Sequence, residues 1–126
     1  MGGDLLHRVF LADTDKENIQ KFTCLLEYAH NIRPAVWQNR YSFDSFIKTP
    51  EAGTIFIRID EPIIPGLELT RYASDHYPRI NIVWMAKSES YALEAFPRGV
   101  DSYLLLPLTA EKLEFVEELL EIAEVR

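Results

Sequence analysis

A chain of 126 residues, 48% hydrophobic and 26% charged, has the size and composition of one globular domain and lies outside the range of disordered chains. Thirteen basic against twenty acidic residues give a net charge of −7, which disfavours direct gripping of a nucleic-acid backbone. A single cysteine, Cys24, excludes an internal disulfide and a multi-cysteine zinc site.

Taken in chain order, short apolar runs alternate with amphipathic ones. The first run, Arg8–Ala12 (RVFLA), reads as a strand, and Asp13 to Asp15 supply the polar start of a helix. That helix carries Ile19, Phe22, Leu25, Leu26, Ala29 and Ile32 at helical spacing, with Cys24 pointing away as a partly exposed, inert thiol. Ala35–Gln38 (AVWQ) is the second strand, followed by a weaker helical signal over Tyr41 to Lys48. Thr54–Ile59 (TIFIRI) is the third strand and Gly66 to His76 the helix after it. Ile80–Met85 (INIVWM) is the fourth strand, with a helical signal from Ser88 to Phe96. Ser102–Leu105 (SYLL) is the fifth, and the last helix starts near Thr109 with Leu113, Val116, Leu119, Leu120 and Ala123 on one arc. Phe115 and Ile122 sit at the edge of that arc as spare apolar contact surface.

Near-continuous apolar strands separated by helices predict a parallel sheet buried on both faces. Right-handed crossovers then give a three-layer α/β/α sandwich of flavodoxin-like kind, a single domain over residues 1–126. Ligands in such folds bind at the carboxyl ends of the strands, which directs attention to Asp13–Asp15, Arg58–Pro65, Met85–Glu89 and Leu105–Leu108. The longest apolar stretch, Tyr103–Leu108, is far shorter than the ~20 residues of a membrane span, and the N-terminus lacks a signal-peptide region. A cytoplasmic protein without membrane contact is expected.

Four local patterns carry a family resemblance: Arg58-Ile-Asp-Glu-Pro62 followed by Pro65-Gly-Leu-Glu-Leu69, then Tyr91-Ala-Leu-Glu-Ala-Phe96, then Asp101-Ser-Tyr-Leu-Leu-Leu-Pro107. In that order and spacing the chain resembles a response-regulator receiver domain (CheY-like), most of all the type that precedes LytTR DNA-binding domains. The resemblance spans nearly the whole chain and implies five βα units and a role in two-component or phosphorelay signalling.

It also implies a phosphoryl site built from an acid pair after the first strand, an acceptor aspartate, a Thr or Ser, and a lysine before proline. Carboxylates suit hard Mg²⁺, an aspartate oxygen is the nucleophile, and hydroxyl and ammonium bind the phosphoryl oxygens. Carried over position by position, Asp13 matches one of the acid pair and Thr14 stands where the other is expected. Counting back four from Pro62 or eight from Gly66 puts Arg58 at the acceptor position; Met85 holds the Thr/Ser position and Leu106 the lysine position. The expectation is a degenerate receiver that is not phosphorylated, is not an enzyme and holds no cofactor. Asp13 alone is left as a candidate Mg²⁺ ligand.

Two readings of Arg58 stand side by side: its guanidinium pairs with Asp13 in a bidentate lock that replaces the cation, or it snorkels to solvent at the sheet edge. Asp60 is the alternative acceptor, which would need a rearranged loop; in the unshifted register its side chain is a plain loop acid. A ligand-sensing pocket at the altered strand ends is a further alternative.

The expected partner face joins the helix that Tyr91 opens, the fifth strand with Tyr103 at the family's aromatic switch position, and the last helix with Phe115 and Ile122. Its occupant is expected to be a partner protein, a second copy in a homodimer, or a DNA-binding output domain beyond Arg126. Thr109 to Arg126 holds six glutamates against Lys112 and Arg126, a solvated or partner-docking acidic face. His7, His30 and His76 lack ligand spacing, Gly2-Gly3 is no phosphate loop, and Trp37 and Trp84 read as core aromatics.

Overall fold

The computed structural model describes residues 8–37 and 53–121. In chain order these form β1 (Arg8–Ala12), α1 (Lys16–His30), β2 (Ala35–Trp37), β3 (Gly53–Arg58), α2 (Gly66–His76), β4 (Ile80–Ala86), α3 (Ala92–Ala95), a 3₁₀ turn (Phe96–Arg98), β5 (Ser102–Leu105), α4 (Ala110–Glu114) and α5 (Glu117–Glu121). The helical signal over Tyr41 to Lys48, and His7, Gln38, Ile122 and Ala123, lie outside the described residues.

The five strands form one parallel sheet in the order β2-β1-β3-β4-β5. This is the expected flavodoxin-like sandwich. All six residues of β3 are buried, as a central strand covered on both faces requires. Side-chain alternation divides the core in two. Phe10, Ala12, Ile55, Ile57, Ile82, Trp84 and Ala86 face α2 and α3, whereas Val9, Leu11, Phe56, Val83, Met85 and Leu104 face α1, α4 and α5. Phe22 of α1 meets Phe56 edge-on with centroids 4.8 Å apart, an arrangement that suits the aromatic quadrupoles.

Trp37 and Trp84 are both core residues, and the Trp84 indole N–H donates to Thr70 Oγ1 at 2.9 Å, which satisfies a donor that burial would otherwise strand.

Helix α1 begins where Asp15 accepts hydrogen bonds from the N–H groups of Glu17 and Asn18. It ends at Asn31 in the left-handed region, whose N–H donates to Glu27 O while Ile32 N–H donates to Leu26 O. Its buried line is Asn18, Phe22 and Leu26, narrower than the expected stripe, so Ala29 is exposed. Cys24 is exposed, as its position off the stripe predicted.

Two helices depart from expectation. Residues 88–91 do not join α3, because the Ser90 N–H donates to Ser88 Oγ and the Ser88 carbonyl receives the Tyr103 hydroxyl, local bonds that compete with the helical ladder. The last helix is broken at Phe115 and Val116, where the bonds Phe115 N–H to Lys112 O and Val116 N–H to Leu113 O tighten the backbone to the i→i−3 pattern. The break keeps Leu113, Val116 and Leu120 in the core.

Candidate functional site

Strand order reverses between β1 and β3, which send their helices to opposite faces of the sheet, so the carboxyl ends of these two strands flank the crevice where this architecture binds ligands. In the parallel register Ala12 is level with Ile57, which brings Asp13 beside Arg58, and Arg58 is level with Met85. Asp13, Arg58 and Met85 continue the alternation of Leu11, Phe56 and Val83, so all three point to the α1 side of the sheet.

Arg58 is 5% exposed and Asp13 is fully buried. The snorkelling alternative is thereby corrected: the end of β3 lies beneath the loops, and the guanidinium is held by three carboxylates. Arg58 Nη1 lies 3.4 Å from each oxygen of Asp13 and 3.5 Å from Asp15 Oδ2, and Nε donates to Asp60 Oδ1 at 2.7 Å. The pairing with Asp13 is therefore made by one nitrogen straddling two oxygens, not by the expected fork, because Nε is turned to Asp60. Asp13 also accepts from Asn18 Nδ2 at 2.6 Å and from the Asp15 N–H at 3.0 Å. Burial alone would depress the Arg58 guanidinium, but the charges of Asp13 and Asp60 raise it above its usual value, so it stays cationic. At Asp15 burial pushes upward, yet hydrogen bonds from Asn18 and Glu17 and the charge of Arg58 hold the carboxyl below its usual value.

Asp60 is not a plain loop acid. Its Oδ2 accepts the Lys87 N–H at 3.0 Å, so both of its oxygens are engaged and it bridges the loops after β3 and β4. Thr14 Oγ1 donates to Glu61 Oε2, and Glu61 Oε1 accepts the Ile63 N–H at 2.6 Å, which ties the β1 loop to the β3 loop. Met85 is fully buried in the apolar layer. Leu106 borders an open cleft of about 360 Å³ with Asp15, Asn18, Lys21, Lys87 and Pro107. Lys112 Nζ turns to the carbonyls of Leu105 and Pro107, at 2.8 and 3.0 Å.

Tyr91 and Tyr103 are partly buried against the α2 and α3 side of the core. The Tyr103 hydroxyl donates to Ser88 O at 2.6 Å; burial raises its titration above the usual value, and the charges of Asp60 and Glu89 push the same way against a lowering hydrogen bond at Tyr91. Phe115 is 81% exposed, Leu93 92% and Phe96 68%. Ile122 lies outside the described residues, as do Gly2 and Gly3. His30 and His76 sit on separate helices, and among the described residues no three of His, Cys, Asp and Glu are arranged to hold a metal ion.

The sequence reading missed Asp15, Asn18, Glu61 and Lys87 as members of this network, and Leu93 and Phe96 as exposed apolar residues. The signal for Asp15 and Asn18 was present, since a helix cap and its next turn must face the end of the preceding strand. Asp60 joining Arg58 to the Lys87 backbone is a tertiary contact with no local signature.

No family model matches the sequence, and no curated protein matches it by sequence. Solved structures match the fold. The response regulator receiver domain protein (CheY-like) of Methanospirillum hungatei JF-1 superposes with a TM-score of 0.77 at 20% identity, over 95% of this chain and 98% of that one. A two-component response regulator from Clostridium difficile gives 0.74 at 25% identity, over 89% and 93%. The response regulatory domain of protein mrkE from Klebsiella pneumoniae gives 0.79 at 18% identity, over 94% and 99%. The chain therefore has the CheY-like fold of response-regulator receiver domains. Among the described residues no helix is long and apolar enough to cross a membrane.

Proposed function

We propose that this chain is a single receiver-type signalling domain of the LytTR-associated kind, cytoplasmic and without enzymatic activity, that takes up no phosphoryl group and acts by binding a protein. The observation that carries the reading is Arg58. It stands at the end of β3, where a receiver needs an aspartate nucleophile, and is ion-paired to Asp13. A guanidinium offers no carboxylate oxygen to attack phosphorus, and Met85 and Leu106 supply neither hydroxyl nor ammonium for the transferred group.

The donor set also does not fit Mg²⁺. The Asp13 carboxylate is already taken by Arg58 Nη1, Asn18 Nδ2 and the Asp15 N–H, and Thr14 offers a hydroxyl turned to Glu61. A divalent ion there would stand against the buried guanidinium. Asp60, the alternative acceptor, has each oxygen in a hydrogen bond, which favours a structural role over a nucleophilic one.

The binding surface of this reading runs from α3 across edge strand β5 to α4, with Tyr91, Tyr103 and Phe115 joined by Leu93 and Phe96, while the contribution expected of Ile122 falls outside the described residues. Exposed aromatic and aliphatic side chains of this size are the usual anchors of an interface centre. Its occupant is a partner protein, an output domain or a second copy. The cleft beside Leu106 favours one second reading, a small-molecule-sensing pseudo-receiver, which a thermal-shift screen would reveal because a ligand preferring the native state raises Tm.

The test is a titration of Mg²⁺ followed by beryllofluoride, read by backbone amide shifts. The reading requires Asp13, Arg58 and Asp60 to stay in place; shifts at these residues that spread to Tyr103 would instead mean a working phosphoryl switch.

A further inference from the structure

We propose that Asp60 is a coupling residue that fixes Tyr103 on the edge strand through the loop after β4, so that the internal ion pair at Arg58 sets the conformation of the surface around Tyr103. Its bearing on partner binding rests on the function proposed above; the coupling itself does not.

The physical path is continuous and short. Arg58 Nε donates to Asp60 Oδ1 at 2.7 Å, a charge-assisted bond. The other oxygen of the same carboxylate accepts the Lys87 backbone N–H at 3.0 Å, 27 residues along the chain. The next residue, Ser88, accepts the Tyr103 hydroxyl on its carbonyl at 2.6 Å, 15 residues further on. One carboxylate thus joins the end of β3 to a loop whose side chains are exposed, and that loop holds the phenol on β5.

Each link constrains the next. Arg58 is itself pinned by Asp13, which is fully buried and receives Asn18 Nδ2 and the Asp15 N–H, so the guanidinium has little freedom to follow a moving Asp60. Lys87 and Ser88 are consecutive, so the amide held by Asp60 and the carbonyl that receives Tyr103 are separated by a single peptide unit, which limits how far one can move without the other. Ser88 and Ser90 are bonded hydroxyl to hydroxyl within the loop, and the Ser90 N–H donates to Ser88 Oγ, so Ser88 is tied to Ser90 as well as to Tyr103. Asp60 reaches the loop after β4 from the loop after β3, the neighbouring strand in the sheet.

Asp60→Asn tests the coupling, because an amide has one acceptor and one donor end. The Arg58 Nε–H and the Lys87 N–H are both donors, so one of the two contacts must be lost whichever way the amide turns. Amide hydrogen exchange and the aromatic resonances of Tyr103 are recorded in the intact protein. The expected result is exchange of the Lys87 amide about tenfold faster, the size of one lost hydrogen bond, together with a shift of the Tyr103 ring signals. Tyr103→Phe, a partly exposed and conservative change, approaches from the other end and is expected to speed Lys87 exchange as well. Unchanged Tyr103 signals in a folded Asp60→Asn variant, or unchanged Lys87 exchange in Tyr103→Phe, would overturn the coupling. Should Asp60→Asn fail to fold, as judged by exchange at Phe56 and Val83, the Tyr103→Phe result decides alone. A beryllofluoride response of the parent protein would count against the proposed function and leave these measurements unaffected.

Discussion

Arg58 Nη1 stands 3.4 Å from both carboxylate oxygens of Asp13, and the two side chains are buried together at the point where the strand order of the sheet reverses. An ion pair of this kind is costly to assemble and costlier to break, since removing one partner leaves the other charged and dry.

Arg58→Ala is therefore expected to lower unfolding stability by about 3–5 kcal/mol in urea titrations, with part of the loss recovered by adding Asp13→Asn. The single variant also frees the Asp13 carboxylate. Millimolar Mg²⁺ is expected to raise the Tm of Arg58→Ala and leave the parent unchanged. If the variant shows neither loss of stability nor a response to Mg²⁺, Arg58 does not serve as the internal cation.

Acid sensitivity follows from Asp15. Its carboxyl is held below the ordinary value of 3.8, so the folded state binds protons less readily than the unfolded chain there. The stabilising contribution is complete above pH 3.8 and is lost as pH falls through the folded value. Its side chain is 36% exposed, and solvent screening makes the contribution small. Asp15→Asn keeps a competent helix cap and removes only the charge, so unfolding followed between pH 5 and about 2 is expected to show a flatter acid limb than the parent.

Inside the sheet layer that faces α2, Thr70 Oγ1 accepts the Trp84 indole N–H and donates to Gly66 O at 2.8 Å. Thr70→Val strands a buried donor and is expected to cost about 1–3 kcal/mol. Combining it with Trp84→Phe should give a total below the sum of the two single losses, because the second change removes the stranded group. Strict additivity in denaturant titrations would mean that the bond contributes nothing.

Two glycines separate hard from soft crowding. A Cβ on Gly53 would stand 2.5 Å from the Arg8 carbonyl oxygen, whereas one on Gly66 would stand 2.7 Å from Ile59 Cδ1. The first neighbour is backbone in a paired strand and cannot yield; the second is the end of a rotatable side chain. Gly53→Ala is expected to cost about 1–3 kcal/mol and Gly66→Ala clearly less, as read by Tm.

The alternation of apolar runs and amphipathic segments by itself determined the five strands, the parallel sheet and the helix Gly66–His76, because periods of 2.0 and 3.6 are local properties of the chain. The resemblance to receiver domains, through its spacing to Pro62 and Gly66, put Arg58 at the acceptor position. Helix limits near Ser88 and Phe115 were not legible, since serine side chains competing for backbone groups and a tightened turn depend on what lies opposite. The strand order was decided in three dimensions, and with it the meeting of Asp13, Arg58 and Asp60. Whether Arg58 would reach water or a carboxylate depended on burial, and burial depends on residues 45 positions away. Charge pairing across that distance is a property of the folded sheet, where desolvation makes an unpaired guanidinium too costly to keep.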